Sequence, residues 1–497
     1  MQDIGGKTRS SLIWNTSLKI IYQIFRFGIS IAIARILDPR DFGIMGIATM
    51  LVFYMNSITN FGFNRALIHR KEMKKEHVDT VFTIDLVISL LLTSVVIVFA
   101  WSISEFFGTP ELTAVLPVLS CVFLITTFYQ MPVTLYKRQL DFKIVALIDF
   151  YRGIIQSLLT LLLALMGFKY WALVIGLIIS HLFGMICIMF KSEWRPKVRY
   201  RHDAMKDIFD FGAWNFLRAQ LFHINEYADK FIIGKFLGPV FLGFYEKAFS
   251  TVALQKNSLT VQIDSVMFAS FSRVQGESIK IKKYIKKAII VTSLITVPIN
   301  TGLFLLSSYF VLLLLGEKWA PMIVPMQILA VAFIFNSLNG LVASLNIGTG
   351  NYAKQTVREA IGNLLLVIIC LVAVQRGIEF VALGVLCIYF MIFVMTFQLA
   401  AKQIEIGWME MFECVFPSLA GSACMAAVVL FLKKTMLYEI NLVNFILLIF
   451  AGIVSYVLTV VIPRYSLLEE FRKAGVAYAG DAYRQLAVYF TKKKEKP

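Results

Sequence analysis

The chain has 497 residues, 58% of them hydrophobic and 16% charged, with a mean hydropathy of +0.74. These values exclude a soluble or disordered protein and fit an all-α polytopic membrane protein with nearly the whole chain in the bilayer. The net charge of +17 is scattered through short loops between apolar spans, so it points to the positive-inside pattern and not to nucleic acid.

A basic N-terminus runs into an uninterrupted apolar span with no A-x-A-like cleavage site, so the first helix is expected to serve as its own insertion signal. With about 20 apolar residues per crossing, fourteen spans are predicted: 11–37, 42–64, 80–107, 112–136, 143–167, 170–190, 208–237, 241–270, 285–315, 322–348, 355–375, 378–401, 409–432 and 441–463.

The first span carries the organising signal. Lys19, Arg26 and Arg35 lie inside it, each charge costing about 2.5 to 3.5 kcal/mol at a helix centre, so it cannot face lipid on all sides. Asn15, Lys19, Tyr22 with Gln23, Arg26 and Ser30 recur every three to four residues and share one face. That face is expected to line a wet, cationic cavity.

Most of the 48 Lys and Arg residues fall in the N-terminus, the even-to-odd loops and the C-terminal tail. The opposite loops, such as LDPRD, FFGTPE, LGP and GEKWAP, are short and hold only Arg40, Lys169, Lys318, Arg376, Lys433 and Lys434. Both termini are therefore expected in the cytoplasm. The short outer loops leave little room for an external catalytic domain.

Shifting the first span by 200 residues aligns it without gaps on the seventh: Trp14 with Trp214, Asn15 with Asn215, Ile33 with Ile233, Arg35 with Lys235, Pro39 with Pro239 and Gly43 with Gly243. Six spans separate the copies, so the repeat is parallel, about an axis along the membrane normal. The expected units are 1–205 and 206–402, each a six-helix bundle, then two further helices at 403–465 and a basic tail at 466–497. A central cavity between the bundles follows. The tail either lies on anionic headgroups or stays solvated.

The same shift places Asn15, Gln23, Arg26 and Ser30 over Asn215, His223, Glu226 and Lys230, with Arg218 and Asp229 on or near that face. Span eight adds Glu246, Ser250, Asn257, Thr260 and Asp264, with Lys256 beside them; span two has Ser57, Asn60 and Asn64. The first half offers cations, the second both signs.

Motifs for enzymes are missing: no GxxxxGK[ST], HExxH, GxSxG or Asp-rich sugar-nucleotide site. The six cysteines sit in apolar segments without ligand spacing, and His181 and His223 stand alone in spans. No enzyme, cofactor or metal is expected.

ILDPRDFGIMGIATMLVFYMNSITNFGFNRALI resembles the first hairpin of Wzx-type polysaccharide and O-antigen flippases, in the branch of the colanic acid and teichuronic acid exporters. KRQLDFKIVALIDFYRGIIQSLLTLLLALMGFKYWALVIG, ADKFIIGKFLGP, FASFSRVQ and LLGEKWAPM extend the resemblance to span ten. It implies the multidrug/oligosaccharidyl-lipid/polysaccharide exporter fold, two six-helix bundles around a V-shaped cavity followed by two extra helices. It also implies a substrate, an oligosaccharide on undecaprenyl pyrophosphate moved to the outer leaflet of a bacterial inner membrane.

The cationic cavity implied by this resemblance falls here on Lys19, Arg26, Arg35, Arg218 and Lys230, with Asn15, Gln23, Asn215, His223 and Asn257 as polar lining. Lys19 and Arg26 either hold the pyrophosphate or pair with acids on neighbouring helices; Arg35 could snorkel to the interface. Glu226 and Lys230 could bridge within one helix. Alternatively, Glu226, Asp229 or Asp264 couples export to H+ or Na+. Expected partners are the lipid-linked oligosaccharide, membrane lipids and other polysaccharide-assembly proteins. A multidrug antiporter of the same superfold would want an acidic, aromatic cavity, and a polysaccharide polymerase or ligase a large outer loop.

Overall fold

A computed structural model of the chain describes residues 23, 25–59, 63–64, 67, 73–139, 141–274, 276–437 and 439–462. Among the described residues there are helices and turns but no strand. Lys19, Asn15, Asn60 and the tail from 466 lie outside them, as do the side chains of Asn215 and Arg218.

Helix α1 covers residues 25–36 and turns through Leu37 and Asp38 into α2, Pro39–Thr59. The turn is written into its residues. Pro39 opens α2 where a missing N–H costs nothing, and Asp41 in the first turn accepts from the Asp38 N–H at 3.0 Å and the Tyr170 N–H at 3.1 Å. The first half continues with α3 (Lys75–Phe107), α4 (Leu112–Arg138), α5 (Phe142–Leu165) and α6 (Tyr170–Lys191). Asp149 and Arg152, three residues apart on α5, pair at 3.3 Å, and the Tyr129 hydroxyl donates to Asp149 at 2.8 Å.

The second half opens with α7 (His202–Phe236) and α8 (Gly238–Gln255). A π turn at Lys256–Thr260 leads from α8 into α9 (Val261–Arg273). Then α10 (Ser278–Tyr309) ends in a π turn at Phe310–Leu315, and a 3-10 turn at Glu317–Met322 leads into α11 (Ile323–Gly348). Helices α12 (Tyr352–Ala373) and α13 (Ile378–Ile404) complete the bundle, with α14 (Trp408–Thr435) and α15 (Leu442–Val461) following.

Eleven helices among the described residues are long and apolar enough to cross a membrane. Three of the fourteen expected spans are not among those eleven. The first is described only from its middle onward, and the seventh (α7) and eighth (α8 running through a π turn into α9) carry too many charged and polar residues. The helix pattern is compatible with fourteen crossings.

Within the first half, α3 packs on α4 and α5 on α6; within the second, α11 packs on α10 and α13, and α12 on α13. Helices α14 and α15 pack on each other, with α14 against α10. The halves meet chiefly where α2 lies against α8. The apolar core runs through this seam, joining Ile44 and Ile47 of α2 to Ile233, Leu242 and Tyr245 and to Trp319 and Phe333.

Candidate functional site

The site is built on the seam between α1 and α2 of the first half and α7 and α8 of the second. At the end that carries the short loops the seam is closed. A Cβ on Gly43 would lie 1.6 Å from the Pro239 carbonyl oxygen, and one on Gly243 1.9 Å from that of Pro39. Only glycine allows the two helix starts to approach this closely. The contact is reciprocal, as expected for two copies of one motif about a pseudo-two-fold axis.

Trp319 plugs the same end. It is fully buried, its indole N–H donates to the Ala34 carbonyl at 2.8 Å, and its ring meets Phe42 and Phe244 edge-on at 5.3 and 6.1 Å. Lys318 beside it pairs with Asp38 at 3.2 Å. The Arg35 guanidinium donates to the carbonyls of Leu313, and of Leu314 at 2.8 Å, which the π turn ending α10 presents. Lys235, its counterpart in the repeat, donates to the Phe106 carbonyl. Both repeat-related cations thus bind backbone of the opposite half.

Deeper in the seam, Lys247 of α8 reaches across to α1 and donates to the Ser30 hydroxyl at 2.9 Å and its carbonyl at 3.2 Å. Lys247 is buried, stands 5.2 Å from the Phe42 ring, and has no carboxylate in ion-pair range among the described residues. The sequence reading missed it. Its signal was a lysine inside an apolar span, next to the stripe residue Glu246.

Lys230 occupies a cage of acids and rings. Its ammonium lies 3.1 Å from Glu246, 4.0 Å from Glu226 and 4.2 Å from the centre of the Phe249 ring. The intrahelical bridge left open by the spacing is therefore present, with the stronger partner on α8. Asp229, also buried, accepts from the Tyr245 hydroxyl at 2.6 Å.

Toward the basic end the seam loosens. On α1, Ile33, Ala34 and Leu37 are buried while Phe25 and Arg26 are exposed. No carboxylate pairs with Arg26 among the described residues. Gln23 and Glu226 are half-buried and Asn257 is exposed. His223 stacks on Tyr227 with ring centres 5.9 Å apart, and Gln220 donates to Ser57 across the seam at 3.1 Å. Asp264 of α9 lies against α11, its Oδ2 2.6 Å from where a Cβ on Gly340 would stand. Its Oδ1 is buried with no hydrogen-bond partner among the described residues.

Geometry and charge together describe a seam sealed at one end and polar at the other; Asp38 and Asp41 of the first half sit at the sealed end, and deeper in the seam Glu226, Asp229 and Glu246 come from the second half. Comparison with known proteins fits this arrangement. The chain is 22% identical to the lipopolysaccharide biosynthesis protein WzxC of Escherichia coli K12, over 68% of this chain and 69% of that protein. Among solved structures it is similar to the lipid II flippase MurJ in an inward closed conformation, with a TM-score of 0.76 and 14% identity over 90% of this chain and 98% of that one. It is also similar to an inward-facing MATE transporter of the MOP superfamily, with a TM-score of 0.62 and 14% identity over 78% of this chain and 98% of that one. The family model described as polysaccharide biosynthesis protein matches residues 32–324, more than half of the sequence, and the chain belongs to that family.

Proposed function

We propose that the protein is a flippase that carries an oligosaccharide on undecaprenyl pyrophosphate across a bacterial inner membrane by alternating access. The observation that supports this most is the contrast along the seam: Gly43, Gly243 and Trp319 seal one end, while toward the other Arg26 stands exposed with no paired acid among the described residues. Under the positive-inside rule the basic end and both termini are cytoplasmic, which makes this an inward-facing state. The halves that rock are 1–205 and 206–402. In this reading 403–465 adds two helices, and 466–497 is a cytoplasmic basic tail.

The pyrophosphate enters from the cytoplasmic side and meets Arg26 with Lys19 and Arg218, while the polyprenyl chain stays in lipid. A charge-assisted hydrogen bond contributes roughly 1.5 to 3 kcal/mol, enough for one or two cations to replace much of the headgroup's hydration. Gln23, Asn215, His223 and Asn257 supply hydrogen bonds to sugar hydroxyls. Release requires the sealed end to part, and its contacts are individually weak, about 1 kcal/mol per hydrogen bond. Coupling to H+ or Na+ falls to Asp264 in preference to Asp229, whose carboxylate the Tyr245 hydroxyl already engages. No covalent chemistry is needed, so the protein acts as a transporter and not as an enzyme.

The test is transport of a fluorescent polyprenyl-pyrophosphate glycan by the protein in liposomes. Arg26→Ala should slow it about ten-fold, the loss of one charge-assisted contact, and Arg26→Lys should retain part of the rate. Unchanged transport after neutralising Lys19 and Arg26 together would overturn the role of the cations. Export of a cationic drug in place of the glycan would favour the multidrug antiporter.

A further inference from the structure

Inside the first half, a file of polar side chains runs between α3 and α4. Thr93 donates to the Ser120 carbonyl at 3.4 Å, Ser89 and Thr127 share a hydrogen bond of 2.7 Å, and Asp85 ends the file one turn nearer the basic end. Asp85, Ser89 and Thr93 recur every four residues, so one stripe of α3 carries all three. Asp85 differs from the hydroxyls above it. It lies inside the span expected at 80–107, is only 4% exposed, and its Oδ1 is buried with no hydrogen-bond partner among the described residues.

The other oxygen, Oδ2, meets the Asn64 amide nitrogen at 3.4 Å, at the outer edge of hydrogen-bond range. No cation stands within ion-pair range of Asp85 among the described residues. On α3 itself, Glu76 pairs with Arg201 at 3.1 Å, His77 accepts from the Lys74 N–H at 3.0 Å, and Asp79 lies nearly two turns away. On α4, Tyr129 donates to Asp149, Tyr136 to the Lys191 carbonyl at 2.8 Å, and Arg138, one turn beyond Thr134, to the Leu67 carbonyl at 2.5 Å. The charges of α2, Arg40 and Asp41, are at the sealed end, and on α7 Glu226 and Lys230 pair with each other while Asp229 takes the Tyr245 hydroxyl. A carboxylate buried without cation or donors is far costlier than the neutral acid, so a group in this position takes up a proton.

We propose that Asp85 is a proton-binding site of the first half, its carboxyl protonated in this conformation and donating to Asn64. Thr134 sets the direction of the chain. Its hydroxyl has a single hydrogen, which the Gln130 carbonyl at 2.9 Å takes in preference to the Asn64 Oδ1 at 3.3 Å. With the Asn64 amide turned over, its nitrogen donates to Thr134 and its oxygen accepts from Asp85, so each contact in the chain holds one hydrogen. The remaining Asp85 oxygen is then the carbonyl of a neutral acid, which bears a missing partner better than a charged group does. Release of the proton to water at the basic end sets two acceptors face to face and loosens Asn64 from α3 and α4. The site is separate from the acids of the seam, and it does not rest on what the protein transports.

Infrared spectra of the full-length protein in detergent test this at about pH 7, where an aspartate of ordinary acidity is only about one part in a thousand protonated. A carbonyl band of a protonated carboxyl should be present, should be lost in Asp85→Asn, and should persist in Asp264→Asn and Asp229→Asn. Asp85→Asn copies the shape of the neutral acid and should lose less than half the thermal stability that Asp85→Ala loses. Should Asp85→Asn fail to fold, the band is followed in Asp264→Asn with Asp229→Asn, where raising the pH should remove it in a single one-proton step. A spectrum at about pH 7 with no such band, or one that Asp85→Asn leaves in place, would overturn the site. Loss of the band on adding sodium at fixed pH would give the position to a metal ion and overturn the proton as well.

Discussion

Gly43 packs against the helix start at Pro239 as Gly243 packs against the helix start at Pro39. The two glycines are copies of one position in the repeat, so a single small-residue requirement is met twice across one seam. Gly43→Ala or Gly243→Ala should each overpack this contact and destabilise the sealed state by about 1 to 3 kcal/mol. Labelling of a cysteine introduced near Asp38 should rise in either variant, and the double variant should exceed both. Unchanged labelling would mean that the close approach does not hold this end shut.

Trp319 is the larger part of the plug. Trp319→Ala should cost about 3 to 5 kcal/mol, the range for deleting a buried large aromatic, and should open the short-loop end. Arg35→Ala removes only hydrogen bonds to the Leu313 and Leu314 carbonyls and should act in the same direction more weakly. Thermal unfolding and the same labelling assay distinguish the two: Trp319→Ala lowers both stability and protection, Arg35→Ala mainly protection.

Lys230 and Glu246 form a test of charge burial. Lys230→Ala leaves Glu246 beside Glu226 without its cation and should destabilise by roughly 3 kcal/mol or more. Lys230→Met with Glu246→Leu should recover most of that loss, since a well-packed apolar pair often replaces a buried ion pair without penalty. Chemical or thermal denaturation of the four proteins of the cycle gives the coupling directly. If the double variant is as unstable as Lys230→Ala, the pair is not acting as a unit.

Asp264 carries the coupling prediction. Asp264→Asn keeps the shape against Gly340 but removes the charge, so transport driven by an imposed ion or pH gradient should lose its dependence on that gradient while exchange without one persists. Asp229→Asn, by contrast, should mainly disturb packing around Tyr245. A gradient response intact in Asp264→Asn would move coupling elsewhere.

Much of this was legible in the chain itself. Hydropathy set most helix positions because a crossing segment must be both long and apolar, and a fixed offset of 200 residues paired Pro39 and Gly43 with Pro239 and Gly243. The charged face of α7 was visible for the same reason that α7 is too polar to count as an apolar span. Trp319 and Lys247 were not legible as parts of the seam. Trp319 reaches Ala34 and Lys247 reaches Ser30 across very long stretches of chain, and periodicity within one helix carries no information about such partners. Arg35 was visible as a charge, but its backbone acceptors depend on a π turn that no residue pattern announced.

The π turn at Lys256–Thr260 changes what the stripe on span eight means. Glu246, Ser250, Asn257 and Asp264 read as one line at regular helical spacing, but a π turn inserts an extra residue and rotates everything beyond it by about 100°. The line is therefore broken into two addresses. Glu246 faces Lys230 on α7, whereas Asp264 faces Gly340 on α11. The acid that neutralises Lys230 and the acid at the other end of the same sequence pattern are sent to different neighbours by a single added residue.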